Sequence, residues 1–242
     1  MAIARFLLLL FFAALLVGCQ CVTFTIKNSC TSTIWPATLN SGGSPQLTST
    51  GFELAAGNST KLLAPPKWSG RMWARTHCST DASGRFSCLS GDCGTGQVSC
   101  SGSGGAPPVS LAEFTLDGAD DKDFYDISLV DGFNLPVAVA PDTRSCNSTV
   151  CPTDVNQRCP EELKQKTDGG EVIGCKSPCL AFGGDRYCCT GVYNNPKVCK
   201  PTDYSTVFKK ACPQAYSYPY DDATSTFTCV GSNYLITFCP SP

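Results

Sequence analysis

The sequence predicts a mainly β, loop-rich protein whose loops are stapled by disulfides, and three observations carry that prediction. Short segments alternate apolar and polar residues, as half-buried strands do. The 242 residues include 22 Gly and 17 Pro, which indicates many turns and little helix, while 42% hydrophobic and 10% aromatic residues suffice for a real core. The 18 cysteines, once two near the amino terminus are set aside, form a dense even set that reads as a disulfide framework rather than scattered thiols.

The amino terminus reads as a secretory signal. Arg5 supplies a short positive start, Phe6 to Val17 is almost purely apolar, and Gly18-Cys19-Gln20-Cys21 offers small residues for cleavage. Cleavage is expected after Cys21, so residues 1–21 are removed, Val22 opens the first strand and 16 cysteines remain. The apolar run is too short to span hydrocarbon and no later stretch is long enough, so no stable membrane insertion is expected. Cysteines at this density belong to an oxidising compartment. With a formal net charge of −2 and no run of Lys and Arg, nucleic acid and anionic membrane surfaces are poor partners. Several crosslinks, each worth about 2–5 kcal/mol in small secreted domains, predict resistance to heat, acid and proteases.

Along the chain, Thr23 to Asn28, Thr33 to Pro36 and Gly70 to Thr76 alternate like sandwich strands, with Gly/Ser/Pro turns between them. From Thr76 to Ala106, Cys78, Cys88, Cys93 and Cys100 sit among Gly and Ser with little apolar periodicity, which predicts a small stapled loop domain. Strand patterns return at Leu111 to Leu116, Phe124 to Val130 and Leu135 to Pro141. Residues 142–212 carry nine cysteines and the two best helix signals. Pro160-Glu161-Glu162-Leu163-Lys164 has proline and acids in a first turn, and Thr202-Asp203-Tyr204-Ser205 opens an amphipathic stretch through Lys210. Thr226 to Cys229 and Tyr234 to Phe238 alternate again and complete the sheet.

The catalytic inventory is informative by what it lacks. His77 is the one histidine and stands beside Cys78 in the stapled segment, so a Ser-His-Asp or Cys-His system has a single base to draw on. Cys88-x4-Cys93 and Cys175-x3-Cys179 resemble metal-ligand spacings, but in an oxidising compartment such cysteines pair with each other first. Gly102-Ser103-Gly104-Gly105 lacks the lysine and the strand-loop-helix setting of a phosphate cradle. No metal or cofactor is expected. What remains is acid: Glu113, then the run from Asp120 to Phe133. In a strand from Phe124 to Val130, Asp126 and Ser128 share one face and Tyr125, Ile127 and Leu129 the other. Such acids either cap turns and hold an arginine, or line a groove for sugar, because paired carboxylates beside aromatic surfaces are what glycoside chemistry uses. Spacing alone leaves both readings open.

Several motifs in order carry a resemblance. Gly84-Arg85-Phe86-Ser87-Cys88-Leu89-Ser90-Gly91-Asp92-Cys93, Trp73-Ala74-Arg75-Thr76, Asp123-Phe124-Tyr125-Asp126, Asp131-Gly132-Phe133-Asn134-Leu135-Pro136, Tyr187-Cys188-Cys189 and Asp222-Ala223-Thr224-Ser225-Thr226-Phe227 resemble the thaumatin family, over essentially the whole chain after the signal. Within the first motif and just after it, Ser90 replaces the usual threonine and Thr95 the usual glycine. The resemblance is to the pathogenesis-related plant defence group. It implies a thaumatin-like β-sandwich core (22–75, 107–152 and 213–242), a small disulfide-stapled loop domain (76–106) and a disulfide-rich lobe with short helices (153–212). It also implies one pairing out of roughly two million: Cys30-Cys239, Cys78-Cys88, Cys93-Cys100, Cys146-Cys229, Cys151-Cys212, Cys159-Cys175, Cys179-Cys188 and Cys189-Cys199.

In similar proteins an acidic cleft runs between core and lobe, lined by one arginine, one glutamate and three aspartates. These fall on Arg71, Glu113, Asp126, Asp131 and Asp221, and a one-residue shift in the preceding turn would exchange Asp221 for Asp222. Carboxylates sharing a groove raise one another's pKa, and Arg71 keeps a neighbouring acid ionised. The leading expectation is that this cleft binds β-1,3-glucan of fungal walls, with Phe124, Phe133 and Tyr218 available for stacking. The alternative is a weak endo-β-1,3-glucanase with Glu113 as general acid and Asp131 as nucleophile or base. A third class acts on proteins or membranes, as a permeabiliser, an enzyme inhibitor or a receptor ligand; sweetness is disfavoured because sweet-tasting thaumatin is basic and this chain is acidic. A monomer is expected.

Asn58-Ser59-Thr60 and Asn147-Ser148-Thr149 are glycosylation acceptor sequences. Asn58 sits in a Gly-Asn-Ser turn and is favoured over Asn147, which follows Cys146. The chain stops soon after Cys239 without the extension that sends some relatives to the vacuole, so the extracellular space is the expected destination.

Overall fold

The computed structural model describes residues 21–241. The signal expectation for residues 1–21 therefore lies outside them except for Cys21, which is disulfide-bonded.

Two sheets pack face to face. In the first, β1 (Val22–Asn28) lies between β3 (Ser59–Ala64) and β13 (Tyr234–Phe238), and β8 (Val137–Pro141) and β9 (Thr149–Cys151) extend it beyond β13. In the second, the order is β12 (Phe227–Cys229), β7 (Asp123–Ser128), β6 (Leu111–Thr115), β4 (Ser69–Thr80) and β2 (Trp35–Asn40), with β5 (Phe86–Ser90) pairing on β4. The alternation in sequence explains the packing. Phe24 and Ile26 of β1, Tyr234, Ile236 and Phe238 of β13, and Tyr125 and Ile127 of β7 are all essentially inaccessible to solvent. Each such side chain contributes roughly 1.5–3 kcal/mol of burial. Phe24 and Phe114 rings lie 4.7 Å apart, and Tyr234 lies 5.2 Å from both Phe114 and Tyr125. The Tyr234 hydroxyl donates to Asp123 Oδ2 at 2.6 Å, so a buried hydrogen bond ties the two sheets inside the core.

Besides the bond at Cys21, eight disulfides join pairs of described residues: Cys30–Cys239, Cys78–Cys88, Cys93–Cys100, Cys146–Cys229, Cys151–Cys212, Cys159–Cys175, Cys179–Cys188 and Cys189–Cys199. The first fastens the carboxy terminus to the end of β1. The stapled loop packs on the outer face of the second sheet, where Trp73, Leu111 and Ala37 meet Val109, Cys93 and Cys100. Arg75 anchors it. This fully buried side chain donates to Trp35 O at 3.0 Å and to Val98 O at 2.7 Å, and its guanidinium lies 5.3 Å from the Phe86 ring. Burial lowers its pKa to about 10, with Asp92 opposing the shift, so it remains charged.

Several local expectations are corrected. The segment from Pro160 forms a single 3-10 turn, Glu161–Leu163, before the chain extends into β10 (Lys164–Lys166), which pairs with β11 (Val172–Cys175). The Cys159–Cys175 crosslink and this hairpin outcompete the helical start. The stapled segment holds a hairpin rather than loop alone, because β4 runs on to Thr80 and pairs with β5, with Cys78 opposite Cys88. His77 therefore lies on a strand. Three short helices escape the sequence reading: α1 (Pro178–Phe182), α2 (Asp185–Cys188) and α4 (Asp222–Ser225). The stretch opened by Thr202 is α3 (Asp203–Ala211), with Thr202 and Ser205 exchanging capping hydrogen bonds.

Candidate functional site

Strand register builds the site. Arg71 on β4 is paired with Glu113 on β6, and Glu113 with Asp126 on β7, so three charged side chains form one row across three strands. Their neighbours Met72, Ala112, Phe114, Tyr125 and Ile127 are buried in the core, which turns the row to the opposite face. One end of that face is covered by the stapled loop. The rest opens into two adjoining depressions of about 500 and 420 Å³ that share Arg71, Glu113 and Asp126. Ser69, Thr115 and Phe124 line the first, and Asp131, Tyr216 and Asp222 the second.

The electrostatics follow from crowding four acids around one arginine. Burial pushes the Glu113 carboxyl up, and Asp131 adds to the rise; Arg71 and a hydrogen bond with Ser128 pull the other way. Asp126 is perturbed further. Burial first, then Glu113 and Asp222, push it up to about 8. Its Oδ1 is buried and makes no hydrogen bond among the described residues. Asp126 is thus a neutral carboxyl at mildly acidic pH, with an unsatisfied oxygen beside the groove. Arg71 reaches Asp131 at 3.9 Å, with both side chains well exposed, so this ion pair leaves the guanidinium free to bind.

Arg71, Glu113, Asp126 and Asp131 line the groove, whereas Asp221 does not. Asp221 Oδ2 accepts from Ser217 N and Oγ at 3.0 and 2.9 Å and pairs with Lys209 Nζ at 3.0 Å, fastening α3 to the turn before α4. The adjacent Asp222 lines the groove instead and accepts from Tyr216 Oη at 2.9 Å. Phe133 is fully buried and unavailable for stacking, because Phe133 N and O bond Cys175 and turn the side chain inward. Phe124 borders the groove, and Tyr218 lines a smaller cavity of about 70 Å³ between lobe and sandwich. Tyr216 was not singled out from sequence. Its signal was position, six residues before Asp222, but no strand or helix pattern placed it.

The chemistry of this groove suits polyhydroxylated ligands: carboxyls and a guanidinium for hydroxyl groups, with Phe124 and Tyr216 at the walls. The Thaumatin family model matches residues 28–240. The chain belongs to the thaumatin family. Among similar family members, thaumatin-like protein 1 of Pyrus pyrifolia is 58% identical over 92% of this chain and 93% of its own. A Prunus avium protein named glucan endo-1,3-beta-glucosidase is 53% identical over 92% of each chain. A solved laminaripentaose-producing β-1,3-glucanase in complex with laminaritetraose shares the fold, with a TM-score of 0.59 at 13% identity over 91% of this chain and 99% of its own. Among the described residues of this thaumatin-family chain, no helix is long and apolar enough to cross a membrane.

Proposed function

We propose that the Arg71–Glu113–Asp126 groove binds β-1,3-glucan of fungal walls and that the protein is a secreted, monomeric plant defence protein. The observation that carries this reading is the row itself: two carboxyls and a guanidinium in ladder register, with Asp126 Oδ1 buried and unpaired. A protonated carboxyl both donates and accepts, and ionised neighbours accept from hydroxyls, so the row offers a sugar ring donors and acceptors at strand spacing. The similarity to a relative named as a glucan endo-1,3-beta-glucosidase supports glucan as the ligand.

A weak endo-β-1,3-glucanase is the second reading, favoured by the raised Asp126 carboxyl. In it Asp126, rather than Glu113, gives its proton to the glycosidic oxygen as the bond to the anomeric carbon breaks. Asp131 stabilises the positive charge on the sugar or directs water to that carbon. The test is sedimentation of purified protein with insoluble β-1,3-glucan, with reducing ends assayed alongside on soluble glucan. Cosedimentation without release supports binding alone, and release abolished by Asp126→Asn supports hydrolysis. A protein that stays in the supernatant and releases nothing overturns both.

A further inference from the structure

A second groove, of about 740 Å³, shares no residue with the acidic one. It lies where the 29–33 loop, the Thr76–Cys78 end of β4 and the 171–173 segment meet, framed by the Cys30–Cys239 and Cys78–Cys88 crosslinks. On β2, Trp35 faces this groove and Leu39 faces the acidic one, about 13 Å apart at strand rise.

Three features of its lining point to one chemistry. Trp35 is half-buried, and its indole N–H has no acceptor among the described residues. The other two tryptophans, Trp68 and Trp73, are fully buried and donate to Pro45 O and Gly91 O. A partly exposed indole with a free donor is a platform for the apolar face of a sugar ring whose rim carries hydroxyls. Next, exposed His77 holds a left-handed backbone, φ 52°, within β4, and its Nε2 stands 3.9 Å from Glu171 Oε1. That separation is too long for a direct hydrogen bond, and one hydroxyl oxygen can lie within bonding distance of both. Finally, the hydroxyls of Ser32, Thr33 and Thr76 make no hydrogen bond to any described residue. The lining contains no Lys or Arg, so phosphate and other anions have no counter-charge there.

We infer that this groove is a second carbohydrate site, taking a neutral gluco-oligosaccharide across Trp35 with a hydroxyl bridging His77 and Glu171. Two separate sites on one chain let a polymer be held at both, which raises avidity without new contacts. The inference does not depend on the acidic groove.

Because Trp35 carries the one exposed indole, its N–H resonance reports this groove alone. The experiment is a titration of ¹⁵N-labelled protein with laminarihexaose, repeated with cellohexaose and with a neutral Ser/Thr-rich peptide. The Trp35 indole peak moves at millimolar sugar and not with peptide, and it moves equally in Glu113→Gln. His77→Ala and Glu171→Gln, both at exposed positions, each weaken the response about fivefold, the worth of one hydrogen bond. A peak that stays still, that moves with peptide rather than sugar, that follows Glu113→Gln, or that ignores both groove variants overturns the inference.

Discussion

Glu113 and Asp126 stand directly opposite each other on β6 and β7, two carboxyls on one sheet face with Arg71 paired to Glu113 on the other side. Like charges so placed destabilise a sheet, and the fold relieves the repulsion by keeping Asp126 protonated. The groove is therefore a place where stability is given up, which is the usual mark of a binding or reacting site.

Stability should depend on pH through Asp126. Its folded pKa, about 8, lies above the usual unfolded value of about 3.9, so the folded state holds the extra proton between them. The contribution is full below about pH 4 and is lost as pH rises through about 8. Asp126→Asn removes this dependence and should be more stable than the native protein at pH 8 by about 5 kcal/mol, at about 1.4 kcal/mol for each pH unit between the two values. Urea unfolding at pH 5 and pH 8 checks it.

The adjacent aspartates should separate cleanly. Asp221→Asn breaks the Lys209 pair and costs about 1–3 kcal/mol while glucan binding survives. Asp222→Asn leaves stability nearly unchanged and weakens binding, because Asp222 lines the groove. Thermal melts and glucan sedimentation on both variants measure the contrast.

Arg75→Lys should loosen the stapled loop. Lysine cannot reach Trp35 O and Val98 O together or present a flat cation to Phe86, and the buried carbonyls lose their donors. A loss of about 2–4 kcal/mol is expected. Limited proteolysis should then cut within residues 76–106 first.

Much of this architecture was legible in the chain. The alternation from Phe24 to Ile26 and from Tyr125 to Ile127 named the core faces, because a period of two has one buried solution in a sandwich. The inward turn of Phe133 was not legible, since it depends on the Phe133–Cys175 bridge between segments distant in sequence. The choice between Asp221 and Asp222 stayed open in the sequence, because it depends on where Lys209 sits. The short α1, α2 and α4 are too brief to show a period and are held by crosslinks and caps rather than by propensity.

The crosslinks should differ in worth by the loops they close. Cys30–Cys239 spans 209 residues and Cys93–Cys100 spans 7, so chain entropy assigns about 5 and about 2 kcal/mol to them. Paired replacement by alanine, followed by calorimetric melting, should show the larger drop for the first.

The most direct test of the groove is ¹³C NMR of the Asp126 and Glu113 side-chain carboxyls, followed through a pH titration and then through addition of laminarihexaose. Asp126 should titrate near pH 8, with Glu113 raised as well, and both resonances should move when sugar is added. An Asp126 that titrates in the ordinary carboxylate range, or a pair of resonances indifferent to the sugar, would contradict this.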